Sequence, residues 1–191
     1  MAKTYAEGQT FEKCNFTETP LAKGEYENCT FSQCDFSNAD LSGCHFSDCH
    51  FTSCNLSMAK LAQTALKEVQ FSGCKLLGLR FEACNPFLLA VAFDNCLLNF
   101  SSFCQLKLKK TKFKNSALQE VDFTETDLRG ASFDQCDLTR AVFERTNLEG
   151  ADFRTALHYS LDPEVNQLKK AKFSLGGVAG LLAKYGLEIT P

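Results

Sequence analysis

The sequence has no tryptophan and only three histidines among its 191 residues. With tryptophan missing, the 18 phenylalanines and the leucines must supply the bulk of any core. No apolar run approaches the roughly 20 residues that a membrane-spanning helix needs. The first ten residues, Met1 to Thr10, lack the apolar centre of a secretory signal. A cytoplasmic location is therefore expected, and with it free thiols in place of disulfides. Charge of one sign is also missing. The formal net charge is −3, too mild to point to direct nucleic-acid binding. No glycine-rich phosphate loop follows a strand pattern, and no Ser–His or His–carboxylate pairing repeats a known catalytic arrangement. The chain is not expected to be an enzyme or to hold a cofactor.

What the sequence has is a period of five. Large apolar residues stand at Phe11, Phe16, Leu21, Tyr26, Phe31 and every fifth position to Phe81. The frame slips by two within "EACNPFLL", resumes at Leu88, and then alternates Leu and Phe without exception to Phe153. Of the 18 phenylalanines only Phe87, Phe100 and Phe173 fall outside this frame. The position two before each centre is small in most units, as at Cys14, Gly24, Cys34, Ala39, Cys54, Thr64, Ser101 and Ala151. Leu79, Val91, Leu106 and Val121 are bulkier departures. The other three positions of a unit are mostly polar.

Units such as "ADLSG", "CDFSN", "TDLRG" and "TNLEG" resemble the pentapeptide-repeat family, over about residues 9–158. The resemblance implies an all-β solenoid: a right-handed quadrilateral β-helix in which each unit is one side of a square and four units make a turn. Residues 20 apart then stack. Cys14, Cys34, Cys54 and Cys74 form one column, and each behaves as a small hydrophobe. A column spreads its sulfurs along the axis, whereas zinc needs ligands converging on one point. No metal is therefore expected, and His45 and His50 should point outward, away from the thiols. Cys104, one place after a centre, should be the most exposed and reactive thiol. Leu88, Leu108, Leu128 and Leu148 should stack opposite Leu98, Leu118 and Leu138, with Phe ladders on the other two sides. About seven turns at roughly 4.8 Å each give a rod near 35 Å long.

The repeat suggests a first stack over 1–84, a second over 85–158, and a cap over 159–191. The break around Pro86 reads as a local bulge. In the cap, Ser174 is placed to begin a short C-terminal helix carrying Val178, Leu181, Leu182 and Tyr185 at helical spacing. Leu187 and Ile189 suit a short strand. These six apolar residues are the expected contact of a homodimer, a two-fold interface at the end of the rod.

The tail "SLDPEVNQLKKAKFSLGGVAGLLAKYGLEI" is similar to the endings of Qnr-type topoisomerase-protecting proteins and of immunity proteins against gyrase poisons. That resemblance implies two rods joined end to end. It also implies a partner, DNA gyrase or another type II topoisomerase, bound by imitation of duplex DNA and modulated in its response to quinolones or toxins. The acidic residues that would serve are Glu12, Glu18, Glu25, Glu27, Asp35, Asp40 and Asp48 in the first turns and Glu120, Asp122, Asp127 and Asp137 further on. A run of lysines at 107, 109, 110, 112 and 114 separates the two groups, and no long loop interrupts the repeats. The alternative is a repeat scaffold for some other protein partner.

Overall fold

A computed structural model describes residues 4–188 of the chain. The strands, in chain order, are β1 (Thr4–Glu7), β2 (Thr10–Glu12), β3 (Gly24–Glu27), β4 (Thr30–Ser32), β5 (His45–Ser47) and β6 (His50–Thr52). They continue as β7 (Ala65–Lys67), β8 (Val69–Ser72), β9 (Val91–Asp94), β10 (Lys112–Lys114) and β11 (Ser132–Asp134). All pairings are parallel. One sheet runs β1-β3-β5-β7 and the other runs from β2 through β4, β6, β8, β9 and β10 to β11. The remaining two sides of the square are held by single parallel bridges, such as Asn15 to Asp35 and on to Asn55, and Asp40 to Lys60. The molecule is thus a four-sided all-β solenoid with a register of 20 residues per turn, as in the pairs Phe11–Phe31 and Phe31–Phe51.

The register follows from side-chain volume. Every second residue of each short side points to the axis, and only one large residue per side fits there. Phe31, Phe51, Phe93, Phe113 and Phe133 are at most 1% exposed, and Phe71 is 2% exposed. Their rings stack in file at 4.7 to 5.5 Å, starting from Phe11. Across the axis Phe113 meets Phe123 edge-on at 5.8 Å, and Phe133 meets Phe143 at 6.0 Å. Leu98, Leu118, Leu138, Leu108, Leu128 and Leu148 are buried as the alternation requires. Slipping one coil by a residue would turn its whole apolar set outward.

The slot two before each centre has a property that small size alone does not convey. It faces a carbonyl of the preceding coil. Cys54 Sγ lies 3.3 Å from the Phe31 carbonyl, and Cys74 Sγ 3.3 Å from that of Phe51. Thr64 and Thr126 donate their hydroxyls to the Leu41 and Phe103 carbonyls, each at 2.8 Å. Cysteine, serine and threonine are therefore interchangeable donors in one slot. All 11 cysteines are free thiols, and Cys14 and Cys104 alone are not fully buried. Burial pushes Cys49 up to about 11 and Cys136 up to about 12.

Corners are made by the residue two after each centre, which adopts the left-handed conformation. Asn38, Met58, Gln63, Arg140 and Arg145 have φ between 50° and 59°. The corner N–H is used in stacking: Asn38 donates to the Ser57 carbonyl at 2.9 Å. On the bridge sides an Asp or Asn before the centre completes the corner, accepting the N–H two residues on. Asp35 accepts from Ser37 at 2.8 Å and Asp122 from Thr124 at 2.8 Å.

The structure departs from the sequence reading at several places. Leu88 does not join the Leu108 ladder; it is 57% exposed with φ 58°, and Leu89 packs against the core instead. The two extra residues are absorbed between Asn85, whose N–H reaches the Thr64 carbonyl, and Val91, which pairs with Val69. Phe173, outside the sequence frame, stacks on Phe153 at 5.4 Å, and bridges Asn147–Gln167 and Asp152–Lys172 continue the coil beyond the recognisable repeat. The expected short C-terminal helix is instead two 3-10 turns, Val178–Leu181 and Ala183–Tyr185. Ser174 does not cap them: its hydroxyl accepts the Gly177 N–H at 3.1 Å, ahead of the first turn, whose N-cap Gly177 has no side-chain cap bond. Gly176, Gly177 and Gly180 lower the helical preference of this segment. Leu187 lies in irregular backbone, and Ile189 lies outside the described residues.

Candidate functional site

The axis is filled, so chemistry is confined to the outer skin. The acidic residues expected to meet a partner divide by what already holds them. In the later coils they are engaged. Asp127 takes a two-point contact from Arg129 at 2.9 and 2.7 Å, with Lys109 at 3.6 Å. The Arg129 guanidinium accordingly holds its carboxyl below the usual range. Asp137 is pushed up by partial burial, but hydrogen bonds from Thr139, Gln119 and His158 outweigh this and leave it well below the usual range. Those contacts are 2.6 Å to the Thr139 hydroxyl, 2.7 Å to Gln119 and 2.9 Å to His158. Glu120 pairs with Arg140. Asp122 holds the Thr124 N–H and has no cationic partner among the described residues.

The first coils differ. Glu12, Glu18, Glu25, Glu27 and Asp48 are all exposed. Glu27 accepts the Tyr5 hydroxyl at 3.1 Å, and Glu12 has Lys13 at 3.8 Å. Such exposed pairs leave the carboxylates open to a partner. Glu25 and Glu27 lie on β3, and Glu7 on β1 is in register with Glu27. Asp48 occupies a left-handed corner with φ 53°. Asp35 and Asp40 are committed to corners: Asp40 accepts from Ser42 at 3.0 Å, and that bond lowers its carboxyl. The structure thus brings Glu7, Glu25 and Glu27 together on one sheet. It leaves Glu12 on β2 and Glu18 off the strands. Of the lysine run, Lys112 and Lys114 lie on β10.

At the C-terminal end, Val178 is 38%, Tyr185 54% and Leu187 58% exposed, while Leu181 packs against the core. Leu182 is half-buried. Lys184 ties the segment down, reaching Asp162 and Glu164 at 2.7 Å each. Leu175, 93% exposed, lies beside this apolar end; it sits three residues before Val178, at the same helical spacing, and was missed. Cys104 is half-buried, and partial burial followed by the charges of Asp122 and Glu125 pushes its thiol up, which opposes reactivity. Among the described residues, no group of three or more His, Cys, Asp or Glu side chains is placed to hold a metal ion. No helix there is long and apolar enough to cross a membrane.

No curated protein sequence matches the chain. Among solved structures, a trypsin-treated variant of QnrB1, described as a plasmid-mediated fluoroquinolone resistance protein, superposes with a TM-score of 0.72. It shares 19% identity, over 98% of this chain and 92% of that one. HetL, a pentapeptide repeat protein involved in heterocyst differentiation regulation in the cyanobacterium Nostoc, superposes with a TM-score of 0.57. It shares 19% identity, over 92% of this chain and 86% of that one. At these identities the likeness is one of fold. The family model for the pentapeptide repeat region matches residues 7–81, 44–116 and 80–153. Together these spans cover most of the molecule, and the chain belongs to the pentapeptide-repeat family.

Proposed function

We propose that this chain is a binding protein of the Qnr type, which engages a type II topoisomerase, DNA gyrase, by presenting acidic side chains as duplex DNA presents phosphates. The observation that carries the reading is the agreement with the QnrB1 fold over nearly the whole of both chains, joined to the solvent-exposed acidic residues of the first coils. Glu12, Glu18, Glu25, Glu27 and Asp48 would supply the contact. Electrostatic complementarity to a cationic groove speeds encounter and fixes orientation. On this reading Asp35, Asp40, Asp127 and Asp137 serve the rod itself. The protein acts as a binding surface and not as a catalyst. The test is a gyrase supercoiling and cleavage assay with and without a quinolone. The purified protein should alter one or both at micromolar concentration; no effect in either would reject the topoisomerase.

A second reading follows from HetL, a regulatory protein whose fold is also shared: a scaffold for a different protein partner. Conversion of the later acids to internal ion pairs favours it, since those faces are less DNA-like.

The exposed end at Val178, Leu181, Leu182, Tyr185 and Leu187 is proposed as a two-fold dimer contact, with the segment 159–191 as its carrier and the stacks 1–84 and 85–158 as the body of each rod. Charged residues at Leu181 and Tyr185 should give monomers in sedimentation experiments. A dimer unchanged by both substitutions would contradict the assignment.

A further inference from the structure

The break in the repeat leaves a mark on the skin of the rod. Pro86 falls where a centre is due, yet it stands in solvent, and Leu89 packs toward the axis in its place. The coil that stacks next to this stretch passes through Lys107. Its N–H has no acceptor among the described residues, whereas the equivalent N–H groups of Leu97 and Ser102 reach the Cys74 and Leu79 carbonyls at 2.9 Å each. The two coils frame a depression of about 350 Å³. Its apolar part includes Leu89, Val91 and Leu108, which are buried or half-buried. Its exposed part holds Lys107, Lys109, Lys110 and Lys112 against a single acid, Glu68.

Elsewhere on the rod many charges are answered one coil away, as Glu120 is by Arg140 and Lys114 is by Asp94 at 3.7 Å. Around the depression that answer is missing. Lys112 is in register with Ser132, and Ala92 takes the matching place on β9. Lys110 lies over Gly130, where an added Cβ would stand 3.5 Å from the lysine Cγ. Asp127, the bridge partner of Lys107, is already held by Arg129 at 2.9 and 2.7 Å and by Lys109 at 3.6 Å. Lys107, Lys110 and Lys112 are therefore exposed and make no ion pair among the described residues. They stem from less than about 18 Å of chain. No arginine lines the depression. The planar fork of arginine suits a carboxylate, whereas lysine ammonium groups act as compact point charges around phosphate oxygens.

We propose that this depression binds a compact polyphosphate, either free inorganic triphosphate or the triphosphate group of a nucleotide. Lys107, Lys110 and Lys112 meet the phosphate oxygens, and the Lys107 N–H supplies a further donor. Where the source is a nucleotide, the apolar part at Leu89 and Val91 takes its base. The volume falls within the range of small-ligand sites. The inference does not rest on the topoisomerase reading, because the acids proposed for that partner lie in the first coils.

The test is isothermal titration calorimetry of the full chain at low salt with sodium triphosphate, with ATP and with a hexaglutamate peptide. One or both phosphate ligands should bind at a single site, the tighter of the two naming the source, and the peptide should bind more weakly than either. The variant carrying Lys107→Gln, Lys110→Gln and Lys112→Gln removes only exposed side chains. It should melt with the parent and bind at least about tenfold more weakly, the worth of three exposed charge contacts. Lys169, Lys170 and Lys172 repeat the spacing of Lys109, Lys110 and Lys112 outside the depression, so the matching triple Gln variant there should keep the parent affinity. No binding of either phosphate ligand, a peptide that binds as tightly as they do, or equal loss in the two triple variants would overturn the inference.

Discussion

An aspartate in this repeat has two employments, and the residue scale is where they separate. Asp35 Oδ1 accepts the Ser37 N–H at 2.8 Å; its place one before Phe36 makes it a corner residue first. Asparagine keeps that acceptor without the charge, as Asn55 does toward Ser57 at 3.1 Å. Asp35→Asn should therefore leave the melting temperature nearly unchanged, while Asp35→Ala should cost about 1 kcal/mol, the worth of one such bond, read by thermal denaturation. Equal loss in both variants would mean that the charge, and not the corner, is what matters. The sequence shows the aspartates plainly but hides this division. Corner acids and exposed acids share a repeat, and only contacts 18 to 21 residues away reveal that Asp137 meets Gln119 and His158 while Asp48 stands exposed at its corner. The same is true of the cysteines. Their spacing is legible, whereas the carbonyl each one faces belongs to another coil.

At the scale of the element, the ladder is the unit of stability. A single side of three or four residues buries one large side chain and holds little by itself, so each coil depends on its neighbours. Leu118 is 0% exposed between Leu98 and Leu138. Leu118→Asp should place an unpaired charge in the axis, cost several kcal/mol, and abolish the strand signal in circular dichroism or leave only a partly folded chain. A stable, fully folded variant would contradict the filled axis. The period of five made these ladders readable because side-chain volume repeats with it. The places that were not readable are those where volume and frame part company. At the break, Leu88 matches the pattern in type, yet the two inserted residues swing it outward and bring in Leu89. At the end, Phe173 has no repeat around it but still finds the aromatic file, because Lys172 bridges to Asp152. The 3-10 turns escaped notice since glycine weakens the helix that the apolar spacing suggested.

The whole molecule is a rod whose charges are unevenly held. Its later coils pair several of their acids with arginines, as Arg145 does with Glu125 at 2.9 Å and Arg154 with Asp152 at 2.7 Å, while Asp137 is held by Thr139, Gln119 and His158. The first coils hold theirs in exposed contacts, such as Glu27 with the Tyr5 hydroxyl at 3.1 Å and Asp40 with Lys23 at 3.7 Å. A partner that senses negative charge should therefore read the molecule from its N-terminal end, and the lysines of β10 mark the far limit of that surface. The direct measurement is the affinity of purified gyrase for the parent rod and for a variant carrying Glu25→Gln, Glu27→Gln and Asp48→Asn, none of which supports the core. The account predicts that the parent binds and that the variant binds at least about tenfold more weakly, with an unchanged melting temperature, since each surface charge contributes a few tenths to 1 kcal/mol. Binding of equal strength by both, or by neither, would contradict it.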